Sequence, residues 1–129
     1  MEFRAITPND YEAVQQFLAE NGWEKRVADA DKFRQMMENA SRTVVAFEGK
    51  RIVGFARALC DGVSNGYIGT VAVAEDFRRK GVGRELVERL IGDDKSITWV
   101  LRAGRGSEKF WRKMGFTISD VAMEKTRVS

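Results

Sequence analysis

Residues 70–87 set a β-branched apolar run, Thr70 to Val73, ahead of a turn holding Arg78, Arg79, Lys80, Gly81, Gly83 and Arg84, with an amphipathic stretch beginning at Val82. Residues of these types in this order can bind phosphate. The first N–H groups of a helix have no partner within it, and the macrodipole adds partial positive charge at that end, so an anion is stabilised there. Glycine leaves the backbone open to a bulky ligand and reaches φ values that other residues avoid. The cations add formal charge around the same point. A di- or polyphosphate is the expected ligand.

Spacing narrows the choice. A P-loop ends in Gly-Lys-Ser/Thr, whereas Gly83 is followed by Arg84 and Glu85; a dinucleotide fingerprint needs a third small residue where this chain has Leu86. Arg78-x-x-Gly81-x-Gly83 directly after a strand resembles instead the coenzyme A signature of the GNAT superfamily of N-acetyltransferases. A second segment, Phe110 to Phe116 (Phe-Trp-Arg-Lys-Met-Gly-Phe), is similar to that family's Phe-Tyr-x-Lys-x-Gly-Phe and follows at the expected distance. The resemblance covers essentially the whole chain.

The resemblance implies an α/β fold with a mixed six- to seven-stranded sheet flanked by about four helices. It also implies direct acetyl transfer from acetyl-CoA to a primary amine of a small molecule or protein, the alternative being a coenzyme A-binding module with little turnover. Val71, Ala72 and Val73 would run beside the pantetheine arm, with the Val73 amide as oxyanion donor. Arg78, Arg79, Lys80, Gly81, Val82, Gly83 and Arg84 would surround the pyrophosphate, and Ser107, Phe110 and Trp111 would touch the coenzyme. Trp111 stands where family members often carry the tyrosine that protonates the leaving thiolate, and an indole N–H is not a usable acid. Gly104 replaces an asparagine often seen there. Trp23 and Tyr67 are the expected acceptor-site residues. Glu75, Asp76, Tyr67 and water are the candidate bases.

Composition excludes other chemistries. The chain has no histidine and one cysteine, Cys60, so zinc centres, serine–histidine triads and an internal disulfide are not expected, and no metal is expected. Cys60 is read as a packed thiol. The net charge of +3 comes with acidic residues interspersed, and its one cluster is the phosphate turn, so no nucleic-acid partner is expected. No apolar run approaches membrane-spanning length, so neither a membrane partner nor a secretory route is expected, and the cytoplasm is the expected location. A homodimer is compatible with the resemblance. At 129 residues the chain is read as a single domain, 1–129.

The elements that must position the turn can be read in order. Glu2 to Ile6 reads as a short strand. Thr7-Pro8-Asn9-Asp10 starts a helix whose apolar face is Tyr11, Val14, Phe17 and Leu18 and whose stop is Gly22. Trp23 to Ala28 reads as a connector. Phe33, Met36, Met37 and Ala40 recur at helical spacing behind a cap at Asp29 or Asp31. Thr43–Phe47 and Arg51–Cys60 read as a hairpin, and Tyr67–Val73 as the next antiparallel strand. The helix with Val82, Leu86, Val87, Leu90 and Ile91 on one face then leads to a parallel strand, Ser96–Leu101, giving a mixed sheet. A short helix from Ser107 to Gly115 precedes two more expected strands, Phe116–Ile118 and Val121–Thr126.

Overall fold

Short apolar runs from residue 42 onward, Val44 to Ala46 and Val53 to Ala56, are buried on both faces of the sheet and produce the centre of the molecule. In the computed structural model, which describes residues 1–128, strands β2 (Arg42–Glu48) and β3 (Arg51–Cys60) form an antiparallel hairpin, and β4 (Asn65–Val73) adds antiparallel to β3. The turn from β3 to β4 is organised by Asp61, whose carboxylate accepts the N–H groups of Val63, Ser64 and Asn65 and the Ser64 hydroxyl. These bonds to the charged form hold its pKa well below the usual carboxylate range. β1 (Glu2–Arg4) pairs antiparallel with β2, and β5 (Thr98–Leu101) pairs parallel with β4. The order across the sheet, β1-β2-β3-β4-β5, repeats the order along the chain.

Helices cover both faces. Thr7 and Pro8 open a 3₁₀ turn, Pro8–Asp10, that feeds α1 (Tyr11–Leu18); a π turn, Ala19–Trp23, follows, then α2 (Glu24–Val27) and α3 (Ala30–Asn39). Of the two expected caps for α3, Asp29 is the one used, accepting from the N–H of Asp31 and Lys32. α4 (Val82–Ile91) lies on the face of the sheet that includes Gly54, where a methyl group would sit 2.9 Å from Leu86 Cδ1 and 3.2 Å from Val82 Cγ1. The missing side chain is what lets α4 approach the sheet so closely. Arg42 reaches from β2 to the other end of α4, donating to the Leu90 and Ile91 carbonyls, where positive charge is favourable. Phe55, Arg57 and Leu59 alternate to the opposite face, under α1 and α3. α5 (Glu108–Lys113) packs near the start of α4.

Two expectations need correction. The connector Trp23–Ala28 contains the turn of helix α2, because Gly22, at φ +97°, redirects the chain so that Val27 can be buried. The expected strands Phe116–Ile118 and Val121–Thr126 are irregular, so among the described residues the sheet has five strands rather than six or seven. The Phe116 ring turns inward, 5.2 Å from that of Trp111, while Ile118, Val121 and Met123 are 71%, 82% and 97% exposed. An apolar run becomes a strand by pairing and packing, and beyond Phe116 these residues do neither. Smaller shifts occur at the ends: β1 stops at Arg4, β4 starts at Asn65 and β5 starts at Thr98.

Asp10 ties β1 to the first helical turn and yields a stability prediction. Its carboxylate accepts two bonds from Arg4, at 2.7 and 3.0 Å, and two from the Thr7 N–H and hydroxyl. The Arg4 hydrogen bonds, followed by those of Thr7, lower its pKa to about 2. A depressed carboxylate pKa stabilises the fold above the unfolded value, and this contribution is lost as pH falls from about 4 to about 2. With Arg4 more than a third exposed, the discounted contribution is about 1–2 kcal/mol. Urea unfolding of Asp10→Asn should show that deficit near neutral pH, and the gap from wild type should close as pH falls through this window.

Candidate functional site

The site begins with an irregularity in β4. Thr70 pairs with Arg57 and Ile68 with Ala58, leaving Gly69 as an extra residue on β4. Such a bulge strengthens the local twist. Before it, Asn65–Ile68 pair with Thr98–Leu101 of β5; after it, β5 has ended and Gly69–Val73 have no strand on that side among the described residues. β4 and β5 therefore part like a wedge. The Ala74 N–H donates to Val53 of β3 at 2.8 Å, so by strand alternation the Val73 and Val71 N–H groups point to the open edge, and Ala72 points to β3.

Beyond Ala74 the chain makes a 3₁₀ turn, Glu75–Phe77, before the basic turn, an interruption the sequence does not announce. Arg79 has φ +64°, the only positive φ at a non-glycine residue among the described residues, and Gly81 has φ +85°. Left-handed residues in a turn gather N–H groups into a concave anion-binding nest, and strain at a non-glycine residue concentrates at functional sites. Nothing lies within 4 Å of where a Gly81 side chain would begin, so the space above the turn is open. Gly83 serves a different purpose: a methyl group there would sit 3.2 Å from Phe110 Cε1 and 3.6 Å from Val73 Cγ2, so its smallness lets Phe110 pack across the start of α4.

Arg78 Nε donates to the Val73 carbonyl at 3.2 Å, tying the basic turn to the open edge. Arg78, Arg79 and Lys80 belong to no ion pair among the described residues, and Lys80 Nζ lies 5.1 Å over the Phe77 ring. Arg84 pairs loosely with Glu88 at 3.5 Å, both exposed. Val82 is buried beneath the turn, so its side chain belongs to the core and only its N–H faces outward with the helix start. This donor set, with three cations outside any ion pair among the described residues, a nest and a helix N-terminus, fits a pyrophosphate.

The other expected residues are placed as follows. Ser107 donates to the Gly104 carbonyl at 2.7 Å and opens α5. Trp111 is 8% exposed, edge-on to Phe110 at 4.9 Å and to Phe116 at 5.2 Å. Asp76 is held by Arg51 through bonds of 2.8 and 2.7 Å, which lower its pKa and make it a poorer base; Glu75 is exposed beside it. Cys60 is half-buried at the end of β3. Trp23 packs on the core at the end of the π turn, whereas Tyr67 pairs with Leu59 across the sheet, on the face shared with Arg57.

Arg57 and Gly69 are the residues the sequence reading passed over. Arg57 Nε donates to Thr70 Oγ1 at 3.0 Å, and its guanidinium lies against Gly69, where a methyl group would come within 3.0 Å of Cζ and Nη2. The signal was present: an arginine in mid-strand at a position that alternation assigns to the covered face.

Comparison with known proteins gives one consistent answer. Residues 7–129 match a family model described as an acetyltransferase (GNAT) domain. An uncharacterized N-acetyltransferase from Pyropia yezoensis is 30% identical over 84% of this chain and 64% of its own length. A rice chloroplastic protein named serotonin N-acetyltransferase 2 is 30% identical over 93% of this chain and 62% of its own. The chain thus spans about three fifths of these two relatives. Among solved structures, a putative acetyltransferase from Xanthomonas campestris superposes with a TM-score of 0.80 at 19% identity, covering 98% of this chain and 94% of that one. A GNAT-family acetyltransferase from Streptococcus pneumoniae gives 0.79 at 20% identity, covering 99% and 97%. At these identities the structures show the shared fold.

Proposed function

The chain belongs to the GNAT family of acetyltransferases, and from that premise we propose that it is an acyltransferase that moves the acetyl group of acetyl-CoA directly onto a primary amine, acting as one domain over residues 1–129. The observation that carries this reading is the open edge of β4, where the Val71 and Val73 N–H groups face a wedge whose mouth is the basic turn.

The proposed roles follow from the geometry. The nest at Arg79 and Gly81, the first N–H groups of α4 and the cations Arg78, Arg79, Lys80 and Arg84 hold the pyrophosphate. Val71, Ala72 and Val73 align the pantetheine arm along their free edge, with Ser107, Phe110 and Trp111 on the α5 side. Acetyl-CoA supplies a thioester carbonyl open to attack by a neutral amine. The Val73 N–H donates to the oxygen on which charge develops, as the N–C bond forms and the C–S bond breaks. Water takes the proton from nitrogen and returns one to sulfur, since Trp111 offers no acidic proton and Asp76 is committed to Arg51. Tyr67 lines the acceptor side, while Trp23 supports the helices that cover it.

Thiol release from acetyl-CoA across a panel of primary amines, with calorimetry on acetyl-CoA alone, tests the proposal. Release with at least one amine supports it. Tight binding with no release on any amine would favour a coenzyme A-binding module, the reading that Trp111 at the tyrosine position supports. The cytoplasm is the proposed location; the names of the plant relatives make a plastid the alternative, which cell fractionation distinguishes.

A further inference from the structure

We infer that the acceptor is an amine that also carries an oxyanion, a carboxylate or a phosphate, and that Arg57 is the residue that binds it. The inference deepens the acetyl-transfer reading and rests on it.

Arg57 sits on the acceptor face of the sheet, beside the point where β4 and β5 begin to part. Its position is fixed twice, by the Nε bond to Thr70 Oγ1 and by close contact with Gly69. One edge of the guanidinium is thereby used, and Nη1 and Nη2 donate to no described residue. Arg57 is in no ion pair among the described residues. Burial lowers its pKa, and the neighbouring group that opposes this is Tyr67 rather than a carboxylate. A partly desolvated guanidinium without a counter-charge costs free energy that an incoming anion recovers through two parallel charge-assisted bonds.

The surroundings agree. A groove of about 440 Å³ between α3 and β3 is lined by Lys32, Gln35, Met36, Asn39, Arg57 and Leu59. It holds two cations, two amides and two apolar side chains, and no acid. Of the two acids on α3, Asp31 is bonded to Arg34 and to the groove residue Gln35, and Glu38 is paired with Arg34, so neither pairs with Arg57 or Lys32. Lys32 thus adds a second positive charge beside Arg57, while Met36 and Leu59 offer apolar surface for a short carbon chain. A polyamine or another cationic acceptor would meet repulsion here.

The test uses protein saturated with coenzyme A and three matched series of short linear amines: ω-amino carboxylates, aminoalkyl phosphates and neutral amino alcohols. The Nε–H resonance of Arg57, assigned with Arg57→Lys, should move with one or both anionic series and stay in place with the alcohols; which series moves it distinguishes carboxylate from phosphate. In parallel, thiol release with acetyl-CoA should show a KM for the effective series that rises at least about tenfold in Arg57→Gln and is partly restored in Arg57→Lys, while the KM for acetyl-CoA is unchanged. A shift of equal size with the alcohols, or no shift with any series, overturns the inference. Arg57 shifts without thiol release from any amine would leave the anion site standing and overturn the acetyl-transfer reading instead.

Discussion

Calorimetry on the Gly81→Glu/Gly83→Glu double variant should show acetyl-CoA bound at least about 100-fold more weakly than by wild type, a loss of about 2.7 kcal/mol or more. Three effects act together. Two carboxylates enter a site whose N–H groups and cations are arranged for an anion. Gly81 has φ +85°, where a side chain adds about 1–2 kcal/mol of backbone strain, so the nest itself is distorted. A side chain at Gly83 begins 3.2 Å from the Phe110 ring and forces it off the start of α4. Thermal unfolding distinguishes lost binding from lost fold. Unchanged affinity in a folded double variant would remove the pyrophosphate site from this turn.

The second large effect separates the structural from the chemical part of Trp111. Trp111→Ala should cost about 3–5 kcal/mol, read as a fall in the urea midpoint, because it empties a buried site that two aromatic rings contact edge-on, Phe110 at 4.9 Å and Phe116 at 5.2 Å. Trp111→Phe retains much of that packing. If water protonates the leaving thiolate, the phenylalanine variant should keep kcat within about threefold of wild type. A fall in kcat of more than about tenfold, with KM for acetyl-CoA unchanged and the fold intact, would show that the indole N–H takes part and that the protonation scheme is wrong.

The parts of the fold legible in the sequence were those determined by local chemistry. Thr7-Pro8 and Asp29 start their helical segments as capping rules dictate, Gly22 ends the first, and the β2–β3 hairpin follows from two apolar runs on either side of a tight turn at Gly49. The basic turn was legible as a local feature because its cations and glycines are near neighbours in the chain, and its left-handed residues Arg79 and Gly81 are where the pyrophosphate is proposed to sit. Features that depend on distant partners were not. The bulge at Gly69 exists only relative to Arg57 across the sheet, and the wedge it opens depends on where β5 stops. Val121 and Met123 have strand-like spacing but no strand to pair with among the described residues. Gly83 was read as an approach for the ligand, whereas its contact with Phe110 shows a packing role that residues far apart in the chain decide between them.

That the strands lie across the sheet in the order they occur along the chain also shapes how the molecule is built. β2, β3 and β4 join through short turns, so little loop-closure entropy opposes their pairing. β1 and β5 are different, because each closes a long loop through helices before it gains a hydrogen bond. The wedge between β4 and β5 therefore cannot exist until the long connection through α4 has docked. The β4 and β5 pairing, and with it the proposed donor site, is thus made by residues far apart in the chain, whereas the central meander is made by near neighbours.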